Sequence, residues 1–230
     1  MDEVTRIRQA YQRRQKNQAY QAQYSLFNQA QLFAIQQRER GLLKLLKKHR
    51  YQDLTQAKIL DLGCGSGNLM ASLANYGAVP PNLAGVDLMP DRLQAAKILN
   101  NRFGLALANA GELPFVDNYF SLIFQLTVFT SILDAQLKKQ IAQGMLRILK
   151  PDGYIIWYDF WANNPNNPNV RGINLAEIEA LFPNCTLDFH RITLAPPLAR
   201  KIVPISWLLA ETLSKIPWLL SHYLGVIRKV

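Results

Sequence analysis

The chain is poor in the residues that build disulfide frameworks and zinc sites. Its 230 residues include only two cysteines, Cys64 and Cys185, and three histidines, with no Cys-x-x-Cys pair. This composition argues against a disulfide-stapled fold and a Cys/His zinc site, and it favours a reducing compartment. We therefore expect a cytoplasmic protein that needs no metal.

Long apolar runs are also missing. No stretch approaches the roughly 20 predominantly apolar residues that a membrane-spanning helix needs, and the chain opens on charged residues rather than on a secretory signal. With 49% hydrophobic and 18% charged residues, the composition suits a globular domain of ordinary core size.

Acidic residues are scarce in residues 1–50. This segment holds eleven Lys and Arg, three acids and ten glutamines, and the whole chain has a net charge of +10. We predict a basic, Gln-rich helical extension over 1–50, with a frayed start and a packed second half, followed by a globular domain over 51–230. The extension is either a solvated arm or lid, or a surface for an anionic partner such as phospholipid, nucleic acid or a diphosphate-linked substrate.

From residue 58 onward, short apolar runs alternate with amphipathic stretches, a pattern typical of β-α-β units around a parallel sheet. The predicted strands are 58–62, 83–87, 105–108, 121–126, 154–160, 186–194 and 222–229. The predicted helices are 68–76, 90–102, 135–149 and 175–182, with a helical stripe over 205–216 and a Pro/Asn-rich loop over 161–171. The fold class is therefore α/β.

A glycine-rich turn joins the first predicted strand to the first helix of the sheet. It reads Ile-Leu-Asp-Leu-Gly-Cys-Gly-Ser-Gly-Asn over 59–68. Such a turn lets a nucleotide approach backbone N–H groups at a helix N-terminus. A dinucleotide fingerprint requires a third glycine where this chain has Asn68. An NAD-dependent oxidoreductase is therefore the weaker interpretation.

Four motifs, in order along the chain, resemble those of class I S-adenosylmethionine (SAM)-dependent methyltransferases of the methyltransferase domain 11/25 group. They are Asp61-x-Gly63-x-Gly65-x-Gly67, Asp87 at the next strand end, the segment 109–115, and Leu-Lys-Pro-Asp-Gly-Tyr over 149–154. The resemblance implies a Rossmann-like seven-stranded sheet of order 3-2-1-4-5-7-6, with the last strand antiparallel and helices on both faces. It also implies methyl transfer, with SAM as cofactor and S-adenosylhomocysteine as product.

The resemblance also implies cofactor contacts residue by residue. Asp61 would contact the methionyl amino group, the glycine turn would cradle the cofactor, and Asp87 would hold the ribose. Asn109 replaces the family's usual aspartate near the adenine, so any contact there lacks a negative charge. The predicted cofactor residues are Asp61, Gly63, Cys64, Gly65, Gly67, Asn68, Asp87, Leu88, Met89, Arg92, Asn109, Ala110, Gln125 and Leu126.

The acceptor side is formed by segments that cover the carboxyl ends of the strands. We predict Asp159 as a general base and Tyr24 as a second catalytic candidate. The predicted substrate residues are Tyr20, Phe27, Thr127, Phe129, Tyr158, Trp161 and Arg171.

Motifs that would define a macromolecular substrate are missing after the fourth strand. The chain has Gln-Leu-Thr-Val over 125–128 instead of the Asn-Pro-Pro-aromatic motif of nucleic-acid amino-methyltransferases. We expect a small-molecule, lipid or glycan-precursor acceptor and no specific nucleic acid. The basic arm and the apolar stretch 194–220 predict peripheral membrane contact. The remaining alternative is a catalytically silent methyltransferase-like binding module.

Overall fold

The computed structural model describes residues 2–163 and 167–230, so residues 164–166 of the predicted Pro/Asn-rich loop lie outside the described residues. Seven strands form one sheet: β1 (Ile59–Leu62), β2 (Leu83–Asp87), β3 (Gly104–Leu107), β4 (Phe120–Leu126), β5 (Leu149–Phe160), β6 (Cys185–Leu194) and β7 (Leu220–Lys229). Their order is β3-β2-β1-β4-β5-β7-β6. β1 to β5 run parallel, and β7 pairs antiparallel with β5 and β6. The predicted sheet is confirmed.

The central strands are apolar because helices cover both faces of the sheet. In β4, the sequence Phe-Ser-Leu-Ile-Phe-Gln-Leu buries five of its seven residues. β5 begins at Leu149, five residues before its predicted start. Leu149 pairs with Phe120 ahead of a register shift between Phe120 and Leu122.

The helices of the described residues are α1 (Glu3–Lys16), α2 (Gln18–Gln23), α3 (Gln29–Lys48), α4 (Asn68–Asn75), α5 (Pro90–Leu99), α6 (Ala135–Ile148), α7 (Leu175–Leu181), α8 (Pro196–Ile202) and α9 (Trp207–Leu213). α6 and α7 cover one face of the sheet, and α3, α4 and α5 cover the other. The stripe predicted over 205–216 is instead the shorter helix α9, preceded by α8. Pro204 lies between them, and Ser206 caps α9 by accepting from the Leu209 N–H.

No helix within residues 2–163 and 167–230 combines the length and the apolar character needed to cross a bilayer.

The first helix is ordered, which corrects the predicted frayed start. Ile7 of α1 is buried in the core that covers one sheet face. The Glu3 carboxylate accepts from the Leu133 N–H (2.5 Å), and the Arg6 guanidinium donates to the Ser131 carbonyl (2.7 Å). The prediction failed because the few apolar residues of this helix are separated by Arg and Gln, while the contacts that hold it come from residues about 125 positions away.

Candidate functional site

A cavity of about 440 Å³ lies at the carboxyl ends of the parallel strands, within the size range of small-molecule sites. Such a position is where α/β sheets bind ligands. Helices α1, α2 and α3 form its cover. Its lining includes strand-end residues such as Gly63, Asp87 and Asn109, and residues from the β6–β7 side such as Thr193 and His222.

The glycine turn after β1 takes a backbone shape that only glycine adopts easily. Gly63 has φ +72°, and a Cβ there would lie 2.7 Å from Cγ2 of Val128. Gly67 has φ +78° and packs against Ala96 of α5. Gly63 lines the cavity. Cys64, Gly65, Gly67 and Asn68 shape the turn outside the lining, and their contact with a cofactor stays a prediction.

The Asp87 carboxylate is oriented by two backbone donors. The Gly65 N–H donates to Oδ2 and the Met89 N–H donates to Oδ1, each at 2.9 Å. Each oxygen keeps a lone pair for a further donor, as two ribose hydroxyls would require. Of the other predicted cofactor residues, the cavity is also lined by Leu88, Met89, Arg92, Asn109, Ala110 and Leu126.

Two predicted cofactor residues, Asp61 and Gln125, lie behind the residues that line the cavity. Asp61 is buried, and burial together with the neighbouring Asp87 raises its pKa to about 7. Gln125 is also buried, and its Oε1 accepts from the Val128 N–H (3.2 Å), which braces the turn after β4. For both residues, contact with a cofactor stays a prediction.

Arg38 is a cavity residue that the sequence did not reveal. Its Nε is buried and has no hydrogen-bond partner among the described residues. Its guanidinium lies 5.9 Å from the ring centre of Tyr158 and close enough to Asp61 to oppose the rise in the pKa of that carboxyl. Residues three and four positions apart share one face of a helix, and this spacing was the signal available in the sequence. The residues of α3 that line the cavity follow it: Gln31, Ala34, Ile35 and Arg38.

The pair of Asp61 and Arg38 is complementary to a zwitterion. A buried carboxyl suits an ammonium group, and an unbonded guanidinium suits a carboxylate. The amino-acid end of SAM carries both groups, and the Asp87 carboxylate, close enough to Asp61 to raise its pKa, offers acceptor atoms suited to ribose hydroxyls. The residues present therefore fit SAM, which supplies a methyl group on a positively charged sulfur when it is bound.

The cavity floor on the β5–β7 side is aromatic. The His222 ring lies 4.0 Å from Phe160 and stacks 4.5 Å from Tyr158, measured between ring centres. The Tyr158 hydroxyl bonds to the Thr193 hydroxyl (3.0 Å). Burial and the nearby Arg38 lower the pKa of His222 to about 3, so this imidazole is neutral at physiological pH.

The charged residues of the lining are mostly arginines. Asp87 is the one carboxylate among the lining residues that the structure describes, whereas the arginines are Arg14, Arg38, Arg92, Arg171 and Arg200. Arg14 and Arg92 lie 4.9 and 4.4 Å from the Tyr11 ring centre. The cavity therefore favours negatively charged groups.

The structure brings five of the predicted acceptor-side residues to the cavity. They are Tyr20, Tyr24, Thr127, Tyr158 and Arg171. Burial raises the pKa of Tyr20 to about 12, so its hydroxyl stays protonated.

The prediction that Asp159 is a general base is wrong. Tyr158 and Phe160 face the cavity, so Asp159 between them points to the opposite sheet face, where it is fully buried. Its carboxylate accepts from the Thr130 hydroxyl (2.5 Å) and the Thr130 N–H (3.2 Å). Burial raises its pKa to about 6. Asp159 instead anchors Thr130, which lines the cavity.

Three predicted substrate residues also lie outside the cavity lining. Phe27 is 99% exposed on the connection between α2 and α3. Phe129 is fully buried in the core, 4.7 Å from the Trp157 ring. The Trp161 indole donates to the Leu220 carbonyl (2.7 Å) beneath the Arg191 guanidinium. Phe129 and Trp161 are held by packing and by this hydrogen bond, so their assignment to the substrate is wrong, whereas that of Phe27 stays a prediction.

The strand order, the antiparallel β7 and the glycine turn at the carboxyl edge define the class I SAM-dependent methyltransferase fold. Residues 60–157 match the model of a methyltransferase-domain family. Residues 60–157 therefore resemble the methyltransferase-domain family, within the fold of class I SAM-dependent methyltransferases.

Individual relatives agree with this assignment. An uncharacterized methyltransferase of Synechocystis is 34% identical over 110 residues, covering 48% of this chain and 49% of the relative. A ubiquinone/menaquinone biosynthesis C-methyltransferase of Vibrio cholerae is 31% identical, covering 45% and 41%. This chain thus matches about half the length of these curated relatives, or less.

A solved structure shares the fold. It is the Burkholderia thailandensis 1,6-didemethyltoxoflavin-N1-methyltransferase with bound S-adenosylhomocysteine, at TM-score 0.58 and 18% identity, covering 83% of this chain and 77% of that one.

Proposed function

We propose that this protein transfers a methyl group from SAM to a small-molecule, lipid or glycan-precursor acceptor by in-line displacement. The observation that carries the proposal is one continuous cavity lined by both sets of residues. Gly63, Asp87 and Asn109 lie on the cofactor side, and Tyr158 and His222 lie on the acceptor side.

The chain's own residues act mainly by holding two reactants in line. Arg38 and Asp61 bind opposite ends of an amino-acid group, and Asp87 binds two hydroxyls. The sulfonium is already a good leaving group, so orientation and the exclusion of water account for most of the rate gain. α1 and α2 contribute by covering the cavity.

The acceptor that suits this lining carries a negative group and an apolar or planar body. With Arg38 assigned to the cofactor carboxylate, Arg14, Arg92 and Arg200 have no matching carboxylate on the cavity wall, whereas Arg171 is paired with Glu177. Guanidinium groups bind phosphate and carboxylate in a bidentate manner. The aromatic floor adds apolar contact. An amphiphilic acid, such as a phosphate-bearing lipid or glycan precursor, meets both requirements.

Methyl-labelled SAM and a lysate of the native host test the activity and the acceptor class together. The products are partitioned into lipid, nucleic-acid, protein, glycan and small-molecule fractions. We expect label in the lipid or glycan-precursor fraction, retained on an anion exchanger. Label confined to nucleic acid or to neutral small metabolites would contradict the acceptor class.

The matched control is Asp87→Ala, which removes the ribose-facing carboxylate and should weaken SAM binding by about 1–3 kcal/mol. Calorimetric SAM affinity unchanged in this variant would contradict the role of Asp87. SAM binding by the native protein without any labelled fraction would favour the silent binding module. Displacement of SAM by NADH would favour the oxidoreductase.

SAM affinity should rise with pH through the titration of Asp61. The pKa of Asp61 in the ligand-free protein is about 7, far above its ordinary value, so below pH 7 most molecules carry it protonated. An ammonium group needs the ionised form, so binding releases a proton there, and affinity gains up to about tenfold per pH unit below the pKa. Calorimetry from about pH 5.5 to 7.5, in two buffers of different ionisation enthalpy, measures how many protons are released when SAM binds. Asp61→Asn should bind more weakly and release none, whereas equal release from both proteins would contradict the assignment.

A further inference from the structure

Several large apolar side chains near the start of α3 and around α9 are exposed to solvent. Phe27, between α2 and α3, is 99% exposed. Ile205 before α9 and Leu208 on α9 are 83% and 78% exposed, and Trp218 just after this helix is 77% exposed. We call these four residues the apolar face.

The elements that carry the apolar face pack into one unit. Ala30 and Phe33 at the start of α3 share a buried cluster with Ala199, Val203 and Ala210 of the α8–α9 segment. The Phe33 ring meets the Trp207 ring edge-on, with 5.0 Å between centres. Farther along the helix, the Gln37 amide donates to the Ser214 hydroxyl (2.6 Å). Phe27 and the exposed residues of α9 therefore project from elements that pack against one another.

The surroundings of the apolar face are basic. Residues 195–219 contain Arg200, Lys201 and Lys215 and one acid, Glu211. Glu211 is paired with Arg40 of α3. The three remaining cations are exposed. A second copy of this chain would bring the same positive groups against one another, whereas an anionic surface would neutralise them.

The apolar face also adjoins the cavity. Tyr24 and Asn28, on either side of Phe27, line the cavity, as do Ala199 and Arg200 of α8. We propose that the apolar face and its basic surroundings dock on an anionic lipid bilayer, with the exposed aromatic and aliphatic side chains entering the headgroup region. Docking would place the cavity beside the lipid surface. The proposal concerns binding alone and stands apart from the proposed methyl transfer.

Vesicle binding of the full chain tests the proposal. We expect sedimentation with phosphatidylglycerol/phosphatidylcholine vesicles at least about tenfold stronger than with phosphatidylcholine alone, and weaker at high salt. Brominated lipids should quench the tryptophan emission. The variant Trp218→Phe should lose most of that quenching, because Trp157, for example, is buried in the core.

Matched variants distinguish binding through the apolar face from nonspecific binding of any exposed apolar side chain. Phe27→Ser and Leu208→Ser should each reduce vesicle binding at least about fivefold. Ile98→Ser removes a side chain that is also 77% exposed, on α5, and should leave binding unchanged. Calorimetric SAM affinity checks that each variant is folded.

Two outcomes would overturn the proposal. One is equal loss of vesicle binding, or no loss, in all three serine variants. The other is concentration-dependent self-association that shields Trp218 without lipid, which would make the apolar face a contact between copies.

Discussion

Replacing Arg38 with glutamine is expected to weaken SAM binding by about 30- to 1,000-fold, or roughly 2–4 kcal/mol. The buried Nε has no partner among the described residues, so a carboxylate on the ligand is the group that would satisfy it. Arg38 also opposes the rise in the pKa of Asp61. Its removal therefore leaves less ionised Asp61 for the ammonium group, and both ends of the amino acid lose binding.

A truncated ligand isolates this effect. 5′-Methylthioadenosine has the adenine, the ribose and the sulfur of SAM but no amino-acid end. Calorimetry should find the same affinity of wild type and Arg38→Gln for it, while SAM affinity falls. Arg40→Gln is the matched control, because Arg40 is exposed and paired with Glu211. Parallel losses for SAM and methylthioadenosine would show that Arg38 acts elsewhere.

Replacing Glu177 with alanine is expected to destabilise the fold by about 3 kcal/mol. The Lys138 ammonium, on α6, is almost fully buried and pairs with the Glu177 carboxylate at 2.7 Å. Arg171 of the cavity pairs with the same carboxylate at 2.6 Å. Without Glu177, Lys138 becomes a buried charge with no ion-pair partner within 4 Å among the described residues, and only the longer-range interaction with Asp159 is left.

Urea unfolding measures this loss, and two variants define its cause. Glu179→Ala removes an exposed acid from the same helix and should change stability by less than about 0.5 kcal/mol. Adding Lys138→Met to Glu177→Ala should recover much of the stability, because the unpaired charge is then gone. Equal losses in the Glu177 and Glu179 variants would refute the buried-charge explanation.

The sheet was predictable because its signals are local. Each β-α unit buries a short apolar strand, and the turn after β1 needs glycine at positions whose backbone has positive φ. Those constraints appear as sequence patterns within a few residues. The strand order itself came from the resemblance carried by four motifs, since hydrophobic periodicity does not determine which strands become neighbours.

The acceptor side was less predictable because it depends on which way side chains face. Tyr158, Asp159 and Phe160 follow one another on β5, and strand geometry turns the middle residue away from the cavity. Sequence proximity alone does not separate the three. Arg38 was missed for a similar reason: only the packing of α3 on the sheet decides which helical face is covered.

The attachments of α1 bear on how the cavity is expected to exchange its ligands. This helix covers the cavity and is tied by polar contacts of Glu3 and Arg6 to the loop after β4. Such contacts open at a lower free-energy cost than the buried sheet beneath them. On the proposed function, we therefore expect product release to involve a local opening of the first helices while the sheet stays folded. The rate of that opening would then limit turnover when methyl transfer itself is faster.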